Sequence, residues 1–177
     1  SMYEDLMEDF GKKNKFVIIV FLIINSVELP LESIGFTNKF TQMFDELRCC
    51  VDFLHTIPRH VRPNFEVGLS TAFGCALEGS VSAKKVIGIA ESVIELGADE
   101  VCLSDTAGSG NPNQLKNLAE GIWRNCGREK LNSVHLHNTR GQGLANALMA
   151  VQIGISTIDS SLGGIGGCPF SPGASGN

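Results

Sequence analysis

What this 177-residue sequence lacks narrows its function before any motif is read. The longest apolar run, Phe16 to Ile24, is nine residues, whereas a membrane-spanning helix needs roughly 20. Acidic residues (Glu4, Asp5, Glu8, Asp9) precede it and no small-residue cleavage site follows, so it does not read as a secretory signal core either. A buried parallel strand is the simpler reading. Basic residues number 14, are scattered, and leave a net charge of −5; without a basic stripe, nucleic acid is not an expected partner. The six cysteines, at 49, 50, 75, 102, 126 and 168, form no C-x-x-C pair, which argues against a zinc knuckle or a disulfide framework and for a reduced, intracellular protein. The glycines from Gly163 to Gly167 are not followed by Lys-Ser/Thr or a helix signal, so neither a P-loop nor a dinucleotide fingerprint is present.

What is there is an ordinary globular composition, 43% hydrophobic and 19% charged, with enough apolar material for one domain. β-rich apolar runs recur at Phe16 to Ile24, Phe65 to Ala72, Glu100 to Ser104, Ser133 to His137 and Ser156 to Asp159. Between them lie helical patterns at Ser82 to Leu96, Asn113 to Cys126 and Gly143 to Ile153, and a charged, cysteine-containing helix around Phe40 to Leu54. Near-continuous hydrophobicity of the strands predicts a parallel α/β sheet covered by helices. Five strands suit a doubly wound sheet or part of a (β/α)8 TIM-type barrel. The barrel is favoured because Asp105, Thr106, His137, Asn138, Ser160 and Ser161 all fall at C-terminal strand ends, the face that carries chemistry in such barrels. A full barrel takes about 250 residues, so five βα units make a partial one, treated as a single domain over residues 1–177.

Histidine is scarce, with four in all, and two of them stand in His135-Leu136-His137. Strand periodicity puts both imidazoles on one face and Val134 and Leu136 on the other. The spacing alone suits a metal pair as well as it suits two histidines hydrogen-bonded in a polar barrel interior. With no cysteine or glutamate at tight ligand spacing, oxygen donors would complete a shell, which favours Mg2+ or Mn2+ over structural zinc. Asp105 ends a strand in Leu103-Ser104-Asp105-Thr106, where a carboxylate can orient a histidine, fix a substrate hydroxyl or cap the next helix; Asn111 and Asn113 compete for the cap. Cys168 sits between Gly-Gly and Pro-Phe in a loop able to act as a lid, its thiol a candidate proton donor or acceptor. Cys49, Cys50, Cys102 and Cys126 read as inert. Asn177 can supply an amide oxygen to a metal or cap a helix, and the pattern does not choose between these.

These residues resemble the 3-hydroxy-3-methylglutaryl-CoA lyase family of metal-dependent TIM-barrel lyases. The resemblance runs from about Gly68 to Asn177 through LSTAFGCALEG, LSDTAGSGNP, VHLHNTRGQGLANALMAVQIG and STIDSSLGGIGGCPFSPGASGN; residues 1–66 match weakly. The His-x-His pair is shared across a wider superfamily, while the Gly-Gly-Cys-Pro loop with Gly-Ala-Ser-Gly-Asn marks the lyase branch. The resemblance implies His135, His137 and Asn177 as ligands to a divalent cation, Mg2+ or Mn2+. It makes Cys168 a proton-transfer thiol, with Asp105 and His135 beside it among the catalytic residues. The implied reaction is retro-Claisen cleavage of 3-hydroxy-3-methylglutaryl-CoA, or a related 3-hydroxy-3-alkylglutaryl-CoA, to acetyl-CoA and acetoacetate or a related 3-oxoacid. An acyl-CoA substrate, a homo-oligomer, no membrane partner and a cytoplasmic or mitochondrial-matrix location go with it.

The sequence departs from the family in having no Arg-Asp-Gly strand, the motif that supplies a further ligand and an enolate-stabilising cation. It also has Ala76-Leu77 for Pro-Tyr, and Asn138 and Arg140 for Asp and Tyr, which point to a different acyl group. Because the chain ends at Asn177, it reads as an incomplete barrel of weak activity when isolated. The alternative is a catalytically inactive paralogue or isoform acting as a structural or regulatory partner.

Overall fold

The computed structural model describes residues 17–23, 39–75, 79–167, 171 and 173–177. Five strands, β1 (Val17–Ile23), β2 (Asn64–Ser70), β3 (Glu100–Asp105), β4 (Leu131–Leu136) and β5 (Thr157–Asp159), form one sheet in the order β1-β2-β3-β4-β5, every neighbouring pair parallel. Helices α1 (Lys39–His55), α2 (Ala83–Leu96), α3 (Pro112–Cys126) and α4 (Gly143–Ile153) form the crossovers. A doubly wound sheet must reverse its strand order at a switch point. This order never reverses, so right-handed crossovers return every helix to the same face, as in a barrel.

Local chemistry sets the starts of α2 and α3 and the end of α2. The Ser82 hydroxyl accepts from the Lys85 N–H ahead of α2, and the Asn111 side chain accepts from the Gln114 N–H ahead of α3, with Pro112 in the first turn. Each satisfies an N–H that the helix itself cannot. Gly97 closes α2 at φ +121, where a Cβ would also stand 2.8 Å from Val51 Cγ1 of α1. Glycine there permits both the left-handed turn and the close approach of the two helices.

Register sorts the strand side chains into two faces. Phe65, Val67 and Leu69 of β2, Val101 and Leu103 of β3, and Val134 and Leu136 of β4 are buried against Val86, Ala90 and Val93 of α2 and Leu115, Leu118 and Ile122 of α3. The opposite face carries Glu66, Cys102, Ser104, Ser133, His135 and Asp159. A one-residue shift between β3 and β4 pairs Val101 with Leu131 but Cys102 with Ser133, leaving Asn132 bulged. That bulge is why β4 begins two residues before the apolar pattern signals it.

The strand also ends one residue early. Asp105, the last residue of β3, pairs with Leu136, so His137 has no ladder partner on that side. The backbone turns instead to the terminal loop, with Asn138 N–H donating to Gly176 O at 3.4 Å.

Leu103 is fully buried at the centre of this packing. Leu103→Ala is expected to destabilise the chain by about 2–5 kcal/mol in chemical denaturation, whereas Leu148→Ala, on the exposed side of α4, is expected to stay within about 0.5 kcal/mol.

Candidate active site

The two alternating imidazoles, His135 on β4 and His137 just past its end, point into the polar face and meet there. His135 Nε2 lies 3.2 Å from His137 Nε2, with ring centroids 5.1 Å apart. Each ring is held from behind through its other nitrogen. His137 Nδ1 lies 2.5 Å from the Ser175 carbonyl oxygen, and His135 Nδ1 lies 3.1 Å from Asp159 Oδ2. A carbonyl oxygen only accepts, so His137 carries its hydrogen on Nδ1. The Asn177 amide nitrogen also stands 3.4 Å from His135 Nδ1 and competes with Asp159 there. The carboxylate contact is shorter and charge-assisted and therefore decides; it too puts the hydrogen on Nδ1.

That pair of tautomers leaves two Nε2 lone pairs facing each other at 3.2 Å, a repulsive arrangement unless a proton or a cation lies between them. Two imidazole nitrogens each about 2.0–2.1 Å from one ion, at an angle of roughly 100°, stand this far apart. The donor set thus fits a divalent cation on geometry and on tautomer. The structure brings His135 and His137 together at this point, whereas the Asn177 amide nitrogen meets His135 on its Nδ1 side, away from the facing Nε2 atoms. Among the described residues, no group of three or more His, Cys, Asp or Glu could by itself hold a metal ion, so a complete shell requires oxygen donors of another kind.

The terminal loop is tied to the sheet by its backbone. The Ser161 N–H and hydroxyl both donate to Asn177 O, at 3.1 and 2.9 Å, and the Ser175 N–H donates to Thr139 Oγ1 at 3.2 Å. Gly176 passes so close to the Gly164 backbone that a Cβ there would overlap the Gly164 carbonyl. Cys168 lies outside the described residues.

Asp105 is fully buried and turned back on its own loop, where its two oxygens accept from the Ser109 and Gly110 N–H groups at 2.9 Å each. Burial pushes its carboxyl above the usual carboxylate range, while those N–H donors and the nearby His137 oppose the shift. The helix cap falls to Asn111, so the carboxylate shapes the β3–α3 loop beside His137. Gly110 in turn lends its carbonyl to Asn146 Nδ2 of α4 at 3.2 Å, which links that loop to the helix after β4.

Two further residues of this face are Glu66, outside the quoted motifs, and Asp159, which lies within STIDSSLGG but has no role assigned by it. Asp159 stands opposite His135 in the β4–β5 register, and Glu66, 6% exposed, accepts from the Ser133 hydroxyl at 2.5 Å. Only the strand register brings either to the site.

A family model described as HMGL-like matches residues 22–177. The chain belongs to this family. Among its curated relatives, hydroxymethylglutaryl-CoA lyase YngG of Bacillus subtilis is 43% identical over 109 residues, 62% of this chain and 36% of that protein. The (R)-citramalyl-CoA lyase of Chloroflexus aurantiacus is 46% identical over 113 residues, 64% of this chain and 35% of that protein. The chain thus spans about a third of the length of the curated relatives it matches. Among solved structures, the HMG-CoA lyase of Acinetobacter baumannii in complex with coenzyme A and 3-methylmalate superposes with a TM-score of 0.76 at 32% identity, over 97% of this chain and 53% of that one. The carboxyl transferase domain of Rhizobium etli pyruvate carboxylase, 18% identical with a TM-score of 0.61, shares the fold. The five-stranded sheet is therefore a partial TIM barrel of the HMGL-like family, and the sequence resemblance to HMG-CoA lyases holds.

Burial raises the Glu66 carboxyl, with the Ser133 hydroxyl opposing and the Glu100 and Asp159 charges adding to it. A carboxyl whose folded pKa is raised favours the fold fully below its unfolded pKa, about 4.3, and loses that contribution as pH rises through the folded value. Glu66→Gln keeps an acceptor for Ser133 and has no such loss. It is expected to be more stable than the wild type at neutral pH, the gap closing as pH falls toward 4, in thermal melts across pH.

Proposed function

We propose that this chain carries the metal-and-loop side of a CoA-ester lyase site, acting in retro-Claisen cleavage of 3-hydroxy-3-methylglutaryl-CoA or a related 3-hydroxyacyl-CoA diacid. The observation that carries the reading is the convergence of the His135 and His137 Nε2 atoms at 3.2 Å beneath the loop bearing Asn177. His135, His137 and the Asn177 amide oxygen would hold a divalent cation, Mg2+ or Mn2+. When bound, that ion supplies Lewis-acid polarisation of the substrate's oxygens.

The reaction removes the proton of a tertiary hydroxyl, forms a ketone as the adjacent carbon–carbon bond breaks, and leaves an acetyl-CoA enolate to be protonated. The residues divide that work by position. His135 and His137 orient the hydroxyl end at the strand mouth. Asp105 holds the β3–α3 loop against His137 through Ser109 and Gly110. Cys168, which follows Gly166-Gly167 and precedes Pro169 in the sequence and lies outside the described residues, is the proposed proton donor to the enolate carbon. The sequence contains no Arg-Asp pair, so an enolate-stabilising cation of that origin is not supplied by this chain, and oriented charge accounts for much of catalysis.

The citramalyl-CoA lyase relative, at 46% identity, favours a second substrate reading, a shorter hydroxydiacid thioester, and Asn138 and Arg140 beside the histidine pair are where that choice would be made. The edge strands β1 and β5 have no further pairing among the described residues, and open edges invite association; self-association of the 177-residue chain is part of this proposal.

With Mg2+ added, the isolated chain is expected to cleave 3-hydroxy-3-methylglutaryl-CoA and citramalyl-CoA weakly or not at all, followed by acetyl-CoA release. Robust turnover, lost on Cys168→Ala, would contradict the assignment of a half-site. If the chain neither binds Mg2+ nor turns over either thioester, the inactive structural partner becomes the better account.

A further inference from the structure

Asp159 is placed by the sheet. It is the last residue of β5, pairs in register with His135 of β4, and brings Oδ2 to 3.1 Å from His135 Nδ1. Its side chain is 34% exposed and that of His135 24%, so the pair lies at the rim of the polar face with one carboxylate oxygen committed to the ring. His137 reaches the same tautomer by another route, through the Ser175 carbonyl. The two imidazoles are therefore fixed by unlike partners, one by a side chain and one by loop backbone, and only the first can be removed by substitution.

We propose that Asp159 is a positioning residue. By accepting the His135 Nδ1–H it holds that ring as the Nδ1–H tautomer and turns Nε2 toward His137, presetting the pair for a cation. The inference rests on the metal reading above for its purpose but not for its geometry. The physical basis is general: an imidazole offers its lone pair from whichever nitrogen lacks the hydrogen, and a partner on the opposite nitrogen decides which that is. Without Asp159, His135 is free to place its hydrogen on Nε2 and donate to His137 Nε2 across the 3.2 Å gap. That removes the mutual repulsion and with it the lone pair a cation needs. The Asn177 amide, 3.4 Å from the same Nδ1, would then be the donor that stabilises the wrong tautomer.

The test uses the 177-residue chain labelled with 15N-histidine, metal-free, at alkaline pH where imidazoles are neutral. Two-bond 1H–15N spectra report each ring's tautomer, and Mn2+ titration followed by the electron paramagnetic resonance of the free ion reports affinity. Wild type is expected to show Nδ1–H at both His135 and His137. In Asp159→Ala, His135 should shift to Nε2–H while His137 stays as it is, and Mn2+ binding should weaken by about 10–100-fold. Asp159→Asn, which keeps an oxygen acceptor, should fall between the two, and it carries the comparison if the alanine variant does not fold. An unchanged His135 tautomer in both variants overturns the proposal. So does an unchanged tautomer with lost Mn2+ affinity, which would make Asp159 a ligand. If wild type binds no Mn2+, the metal reading fails, while the tautomer shift still decides the role of Asp159.

Discussion

The site depends on how β4 lies between β3 and β5. Parallel pairing with period-two side chains puts Val134 and Leu136 into the apolar layer and leaves His135 and His137 no direction but the polar face. A one-residue slip would bury both imidazoles among Leu103, Leu118 and their neighbours and expose the two aliphatic residues. The cost of exposing that apolar area locks the register, and the register places the imidazoles. The bulge at Asn132 serves the same end, because it brings Ser133 opposite Cys102 and so aligns His135 with Ser104 on one side and Asp159 on the other.

Side chains fasten the N-terminal side of the sheet, away from the histidine pair. There Asp99 accepts from Arg62 and from the Phe65 N–H, at 2.6 and 2.8 Å, and the Trp123 indole donates to Leu131 O at 2.9 Å with Arg128 stacked 3.5 Å above its ring. At the C-terminal end the links are loop to loop: Asp105 to Ser109 and Gly110, Asn138 to Gly143, Ser161 to Asn177. Buried polar atoms without protein partners, Ser104 Oγ, Ser109 Oγ and Asn146 Oδ1, fall on this side of the structure. Thr71, at the end of β2, adopts φ +60, a conformation β-branched residues avoid. It is held there by the Thr106 hydroxyl, which accepts the Thr71 N–H at 2.9 Å. A fastened base beneath strained and under-satisfied loops is an arrangement common in TIM-type barrels.

Much of this was legible in the sequence. Every strand and helix read from periodicity exists, because long apolar runs and caps such as Ser82 and Asn111 act locally. His135 and His137 share a face because they stand two residues apart on a stretch of chain that leaves β4 directly after Leu136, an alignment that needs no partner strand. Asp159 and Glu66 could not be read, since each matters only through a residue 24 and 67 positions away, and register across strands is not written in either segment alone. Asp105 is legible as a strand-end residue, but only the folded loop shows its carboxylate turned onto Ser109 and Gly110. The roles expected of Cys168 and Asn177 come from family resemblance and not from spacing, and Cys168 lies outside the described residues.

The two lone pairs converging at 3.2 Å between His135 and His137 are the proposed cation site. The most direct measurement is anomalous diffraction from crystals of the chain grown with Mn2+. A single anomalous peak about 2.1–2.2 Å from both Nε2 atoms, absent in His137→Ala crystals, is the predicted result. Occupied crystals with the peak elsewhere, or a short Nε2–H···Nε2 hydrogen bond persisting at saturating Mn2+, would contradict it.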